Sequence, residues 1–431
     1  MFNYRKLIVG ADTPIKIANG QYVKYVNFDN AATTPPFISV VEDLLSFLPY
    51  YSSIHRGMGI KSQISTKAYD DARESVANFV EIDARKASII FVKNTTEAIN
   101  KLSNMLYDKY KGGIVISTTM EHHSNDLPWR KFNIKYVDVD KYGRLSIEDL
   151  KYKLKKYRGK VVLVTVTGAS NVTGYKNPIY DIARIVHQYG SKLLVDGAQF
   201  VPHSPIYMGD ECSDSHIDYL AFSAHKMYAP FGIGVLIGSK DEFNSCNPDY
   251  CGGGTVDVVT HDFVKWASTP DKDEAGSPNV IGAVALVSAI NTLQKLDMNL
   301  IEEYEKSILH YAYNSLKSIP EVKLYCDNCN NCVGIVPFNI NGIYHETLSK
   351  ILSYEFGIAV RSGCFCAQPY IQKLLNVPIE KTIKMMEEHG RRPGMVRLSF
   401  SLYNTFDEID YLVYALRKII NYKNKYLAKY N

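Results

Sequence analysis

Seven short runs of apolar, largely β-branched residues alternate with helical patterns between about residues 65 and 240, and nothing else in the chain restricts its fold as strongly. They are SIIFV (88–92), GIVIST (113–118), KYVDV (135–139), VVLVTVT (161–167), KLLVD (192–196), DYLAFS (218–223) and GVLIG (234–238). Strands apolar along their whole length suit a sheet covered on both faces by helices. Two intervening helices are legible. Over 66–81 the residues Tyr69, Ala72, Val76, Phe79 and Val80 recur at helical spacing. Over 178–189 Pro178 opens a helix, Ile179, Ile182, Ile185 and Val186 mark one face, and Gly190 closes it. This alternation predicts an α/β unit with a mainly parallel, seven-stranded sheet.

After about residue 285 the texture changes. A long helix is expected over roughly 280–318, then scattered strands and helices forming a smaller α+β unit. With 431 residues, two domains are expected: 25–285 and 286–431, preceded by a segment 1–24 packed on the smaller one. The polar tail NYKNKYLAKYN is expected to fray.

A net charge of +4, with 22% charged residues and no basic cluster, argues against nucleic-acid binding. No apolar run approaches the roughly 18 residues that span a bilayer, and the N-terminus lacks a signal-peptide pattern, so no membrane partner is expected. Eight cysteines at irregular spacing do not form a disulfide framework, which points to a reducing, cytoplasmic setting.

Four segments carry candidate chemistry. Asp196 ends the strand KLLVD, at the edge where α/β proteins place ligands, although such an Asp also serves as a turn or cap residue. Gln199 follows three residues later. In FSAHKM, Lys226 directly follows a buried strand, Ser223 and His225; burial lowers a lysine's pKa and favours imine formation. In NTTEAIN (94–100), Thr95 and Thr96 offer hydroxyls and amides at a helix start, a phosphate cradle or an ordinary N-cap. In MEHHSN (120–125) an imidazole is available to stack on a ring. Together these match what pyridoxal 5'-phosphate needs: a lysine, a carboxylate beside its pyridine nitrogen and a phosphate cradle.

The motifs DNAATTPP (29–36), HRG (55–57), TTEAIN, EHHSN with PW, SNVTG (170–174), VDGAQ (195–199), FSAHKMYAPFGIG, EAGSPN (274–279), RSGCFCAQP (361–369) and RLSFSLYNT (397–405) occur in the order found in one superfamily. The chain resembles the class V aminotransferases of pyridoxal-phosphate fold type I, most closely the group II cysteine desulfurases and selenocysteine lyases, from about residue 25 to 415. The resemblance implies a Schiff base on Lys226, ring stacking and proton transfer by His122, Asp196 at the pyridine nitrogen and Gln199 at the ring hydroxyl. It implies a phosphate site of Thr95, Thr96, Ser223 and His225. Ser277 would reach the phosphate of the partner subunit in a homodimer, and His55 would lie near the active site across the dimer. Asn171 would touch cofactor or substrate, and Arg397 would bind the substrate carboxylate with its bidentate fork.

The resemblance also implies the reaction: L-cysteine becomes L-alanine, and Cys366 takes the sulfur as a persulfide for an acceptor protein in iron–sulfur cluster assembly. Selenocysteine lysis, another carbon–sulfur β-lyase reaction, an aminotransferase or epimerase reaction, and a non-catalytic scaffold are the alternatives. Where relatives carry two histidines before this cysteine, the chain has Cys364 and Phe365. The stretch from Tyr370 to Val396 is longer than the resemblance leads one to expect, and KTIKMMEEHGRR within it reads as an exposed helix ended by Gly390 and Pro393. Cys326, Cys329 and Cys332 are expected to be incidental thiols at a turn, and no metal site is expected.

Overall fold

The computed structural model describes residues 3–430 except 211, 327 and 328. All seven apolar runs are strands: β1 (Ala87–Val92), β2 (Ile114–Thr118), β3 (Asn133–Val137), β4 (Val161–Thr167), β5 (Lys192–Asp196), β6 (Tyr219–Ser223) and β7 (Gly234–Ser239). They form one sheet in the order β1-β7-β6-β5-β4-β2-β3. β2 to β6 pair in parallel, and β7 runs antiparallel to both its neighbours. Successive side chains point to opposite faces. Ile89, Ile116, Val164 and Val195 therefore feed one core, while Ile90, Val115, Leu163 and Leu194 feed the other with the helix Thr95–Lys109.

A second sheet is antiparallel, in the order β8 (Val322–Leu324), β9 (Ile335–Ile340), β11 (Met395–Ser399), β10 (Arg361–Gly363). It has its own apolar cluster, shared with the helices His345–Phe356 and Phe406–Asn421. The N-terminal segment joins this part of the chain: Val26 and Asn27 pair in parallel with Ile358 and Ala359, and Ala18 donates to the Tyr354 carbonyl at 2.8 Å.

Four expectations need correction. The strand expected at 135–139 lies two residues earlier; β3 is a half-exposed edge strand, and the Asp138 amide instead donates to the Asp149 carboxylate at 2.8 Å. The long helix over 280–318 is two helices, Val280–Leu296 and Met298–Lys317, bent by 78°. Between them Asp297 adopts a φ of 65° and caps the second with a 2.9 Å bond from the Asn299 amide. The N-cap before Thr95 is Asn94, whose Oδ1 accepts from the Glu97 amide at 3.0 Å, so Thr95 and Thr96 are released from capping. The C-terminal tail is helical over Lys423–Tyr430, with Tyr426 buried and Lys429 bonded to Glu355 at 2.5 Å. The helix expected near 380 spans Ile379–His389 and ends at Gly390 with φ 61°. No single helix among the described residues is long and apolar enough to cross a membrane.

Candidate active site

The carboxyl ends of the sheet strands deliver the candidate residues to one place. β1 runs into Asn94–Thr96, β2 leads to His122, β4 ends at Thr167, β5 at Asp196, and β6 runs into the tight turn Ala224–Lys226. Parallel strands end on one side of a sheet, which is why side chains far apart in sequence converge there. With Asn171, Gln199, Arg361, Phe365, Cys366 and Arg397 they line a cavity of about 330 Å³.

Lys226 makes no hydrogen bond or ion pair with any described residue. Burial pulls its pKa down to about 8; Arg397 adds to the shift, while Asp196 and Cys366 oppose it. Asp196 is 3% exposed and accepts from the Ala198 amide at 3.0 Å, with no ion-pair partner among the described residues. Burial raises its pKa. A buried carboxylate and a desolvated amine that feel each other's charge but form no direct ion pair among the described residues are each costly, and such pairs mark functional sites. Gln199 donates to the Ala31 carbonyl at 2.7 Å, and its buried Oε1 has no hydrogen-bond partner among the described residues.

His122 Nδ1 accepts from the Ser124 amide at 3.1 Å, so in the neutral ring Nε2 carries the hydrogen. Burial, Lys226, His123 and Arg397 push its pKa down to about 3. His225 falls to about 4 through burial and Lys226. At the helix start the hydroxyls satisfy one another: Thr95 with Ser223 at 2.7 Å, and Thr96 with Ser124 at 2.6 Å. Arg397 is buried, donates to the Asn171 carbonyl at 2.9 Å and to Asp29 at 3.3 Å, and its Nε has no partner among the described residues.

The loop after β10 closes the cavity. Phe365 and Cys366 have φ of 50° and 53°, a left-handed conformation that costs non-glycine residues energy and persists only when neighbours enforce it. The restraints are visible. Asn171 Nδ2 donates to the Phe365 carbonyl at 2.6 Å, the His123 amide donates to the Cys366 carbonyl at 2.6 Å, and His123 Nε2 accepts from the Gln368 amide at 3.2 Å. Cys366 is exposed to the cavity, whereas Cys364 packs against the main core and does not line it.

Two expected residues lie elsewhere. His55 and Ser277 line a separate cavity of about 320 Å³ with Arg56, Gly253 and Gly254. Cys326 and Cys329 sit 3.4 Å apart near the buried Cys332, at a third cavity; their motif includes residues 327 and 328, outside those described.

Several residues escaped the sequence reading. Asp29 binds both Arg361, at 2.8 Å, and Arg397. Thr33 and Thr34 donate to the His225 carbonyl, at 2.9 and 3.3 Å, pinning the lysine turn. Glu121 is buried behind the site, bonded to Thr118, Asn125 and the Thr167 amide, and burial raises its pKa to about 8. The quoted motifs DNAATTPP and EHHSN contained all of them without indicating what they touch.

The aminotransferase class-V family model matches residues 26–412. A probable cysteine desulfurase of Halalkalibacterium halodurans is 34% identical over 414 residues, 94% of this chain and 95% of the relative. A cysteine desulfurase of Haloferax volcanii is 32% identical over 400 residues, 91% and 88%. The apo structure of a cysteine desulfurase from Thermococcus onnurineus NA1 matches with a TM-score of 0.82 and 30% identity, over 92% of this chain and 95% of that one. The cysteine desulfurase CsdA from Escherichia coli matches with a TM-score of 0.79 and 29% identity, with the same coverage. A family model spanning most of the chain and relatives this similar along nearly their whole length agree with the strand-end site, and the chain belongs to the aminotransferase class-V family.

Proposed function

We propose that this chain is a pyridoxal-phosphate-dependent cysteine desulfurase. The observation that carries the reading is that the Cys366 thiol lines the same cavity as Lys226, Asp196, His122 and Arg397. The residues fit the cofactor. Asp196 is a buried carboxylate without a direct ion pair among the described residues and would pair with a protonated pyridine nitrogen, and the Lys226 amine makes no hydrogen bond to a described residue and would hold the cofactor. Thr95, Thr96, Ser223 and His225 would hold the phosphate at the start of the helix Thr95–Lys109, where free amides and the dipole favour an anion. When bound, the cofactor supplies an electron sink for bond cleavage beside the substrate α-carbon.

The remaining work falls to side chains. Arg397 presents its guanidinium to the substrate carboxylate, and Asn171, whose carbonyl already accepts from Arg397, orients that fork. His122, its pKa lowered by burial, is uncharged at neutral pH and would stack on the ring without competing for the Asp196 carboxylate. Lys226, with its pKa near 8, exchanges protons close to neutrality, as a general acid–base group should. Cys366 then takes the sulfur: L-cysteine and the thiol become L-alanine and a persulfide on Cys366, with no external oxidant or reductant. Delivery of that sulfur to an acceptor protein completes the cycle. The exposed side chains Ile379, Ile383 and Met386 lie one helical face apart on Ile379–His389, beyond the cysteine loop, and offer the acceptor an apolar contact.

The same reading divides the chain into a cofactor-binding domain (25–285) and a domain carrying the cysteine loop (286–431). It also makes the active form a homodimer, with His55 and Ser277 facing the partner's site; the exposed Met58 and Ile60 beside them support an interface there. The test is alanine formation from L-cysteine by wild-type protein and Cys366→Ala. Alanine production should fall at least about 100-fold in the variant while the cofactor absorbance is retained. Undiminished alanine production would overturn the persulfide route.

A further inference from the structure

At the opposite, amino-terminal edge of the large sheet, three groups from separate elements meet. His187 is the last residue of the helix Ile179–His187, His216 lies in the loop before β6, and Asp218 immediately precedes that strand. Their ligand atoms all lie within 4.8 Å of one another. The imidazoles stack with centroids 4.2 Å apart and planes inclined by 18°. His187 Nδ1 bonds to the Asp214 carbonyl at 2.7 Å and His216 Nδ1 to the Ser213 carbonyl at 2.5 Å. A carbonyl only accepts, so each Nδ1 carries a hydrogen and each Nε2 is the ring atom turned to Asp218.

Both Nε2 atoms face one carboxylate, His187 at 2.9 Å from Oδ2 and His216 at 3.5 Å from Oδ1. A metal cation at the shared point satisfies all three groups. The spacing suits it, since neighbouring ligands on a tetrahedral zinc ion lie about 3.3 Å apart given bonds of about 2.0 Å. The supporting shell is also in place: backbone carbonyls fix both imidazoles, and the Leu193 amide holds Asp218 Oδ2 at 2.8 Å. The negative end of the helix dipole points the same way. His216 and Asp218 border an open cavity of about 450 Å³, which gives a hydrated ion access and room for a fourth ligand.

We propose that His187, His216 and Asp218 form a binding site for a divalent cation of the zinc class, separate from the reacting centre and tying the helix end to the loop before β6. The sequence reading expected no metal, because these ligands share no motif. The test is titration of the full-length holoenzyme with cobalt(II), read by visible absorption. Histidine and carboxylate ligands give ligand-field bands without the thiolate charge-transfer band that a cysteine site would add. The expected result is one such site per chain, weakened about 100-fold or more in His216→Ala and similarly in Asp218→Asn, which can keep the Leu193 bond. Unchanged cofactor absorbance would report that both variants are folded. Absence of thiolate-free bands in the wild type, or undiminished binding in both folded variants, would overturn the proposal.

Discussion

Lys226 and Cys366 line the same cavity, yet the chain holds them in opposite ways. Lys226 sits on a tight turn at the end of a central, fully buried strand, and Thr33 and Thr34 clamp that turn from the N-terminal segment. Cys366 is itself exposed, on a loop in a left-handed conformation kept there by three hydrogen bonds with Asn171 and His123, two donated by them and one accepted by His123 from Gln368. The difference suits the two tasks. A group that must meet one fixed atom belongs on a rigid element, whereas a thiol that, on the proposed reading, would take up sulfur in the cavity and pass it to an acceptor belongs where it is exposed.

If the two regions are separable, damage to one should leave the other's signature intact. Lys226→Ala has the largest expected effect: alanine formation should drop by about 10³-fold or more, with loss of covalently held cofactor, while Cys366 still reacts with an alkylating reagent at its wild-type rate. Next is pH. On the proposed reading the Lys226 amine would hold the cofactor only when unprotonated, and its pKa is lowered to about 8. The rate at which apoprotein takes up pyridoxal phosphate should therefore rise about tenfold from pH 7 to 9 and then level off; His122, lowered to about 3, stays neutral across that range. A flat profile in stopped-flow absorbance would contradict the assigned environment.

Smaller effects are expected on the loop. His123→Ala removes the acceptor for the Gln368 amide and should lower desulfuration about fivefold, consistent with losing one hydrogen bond of about 1 kcal/mol, without altering the cofactor spectrum. A changed spectrum would show that the two regions are one unit. The smallest effect belongs to Cys364→Ser. Because Cys364 packs against the core and does not line the cavity, activity should stay within about twofold of wild type.

The strand-end half of the site was readable in the sequence and the cysteine-loop half only partly. Buried strands such as KLLVD and VVLVTVT announce themselves because both faces are apolar, and the residues ending them follow directly. Edge and break positions carry no such signal. β3 is half exposed, so its polar residues blur its limits, and the single residue Asp297 divides a continuous helical pattern through its backbone angle alone. Asn94 and Thr95 are both good cap formers, and only the structure shows which one caps. Asp29 and His123 act through long-range contacts that no local pattern records.

The most direct measurement of the division between the two regions is to incubate the holoenzyme with L-cysteine and locate the transferred sulfur by mass spectrometry of its peptides. The expected result is a persulfide on Cys366, with Cys364 and the Cys326–Cys332 thiols unmodified after a single turnover. A persulfide on Cys364, or alanine formed with no persulfide on the 361–369 loop, would contradict it.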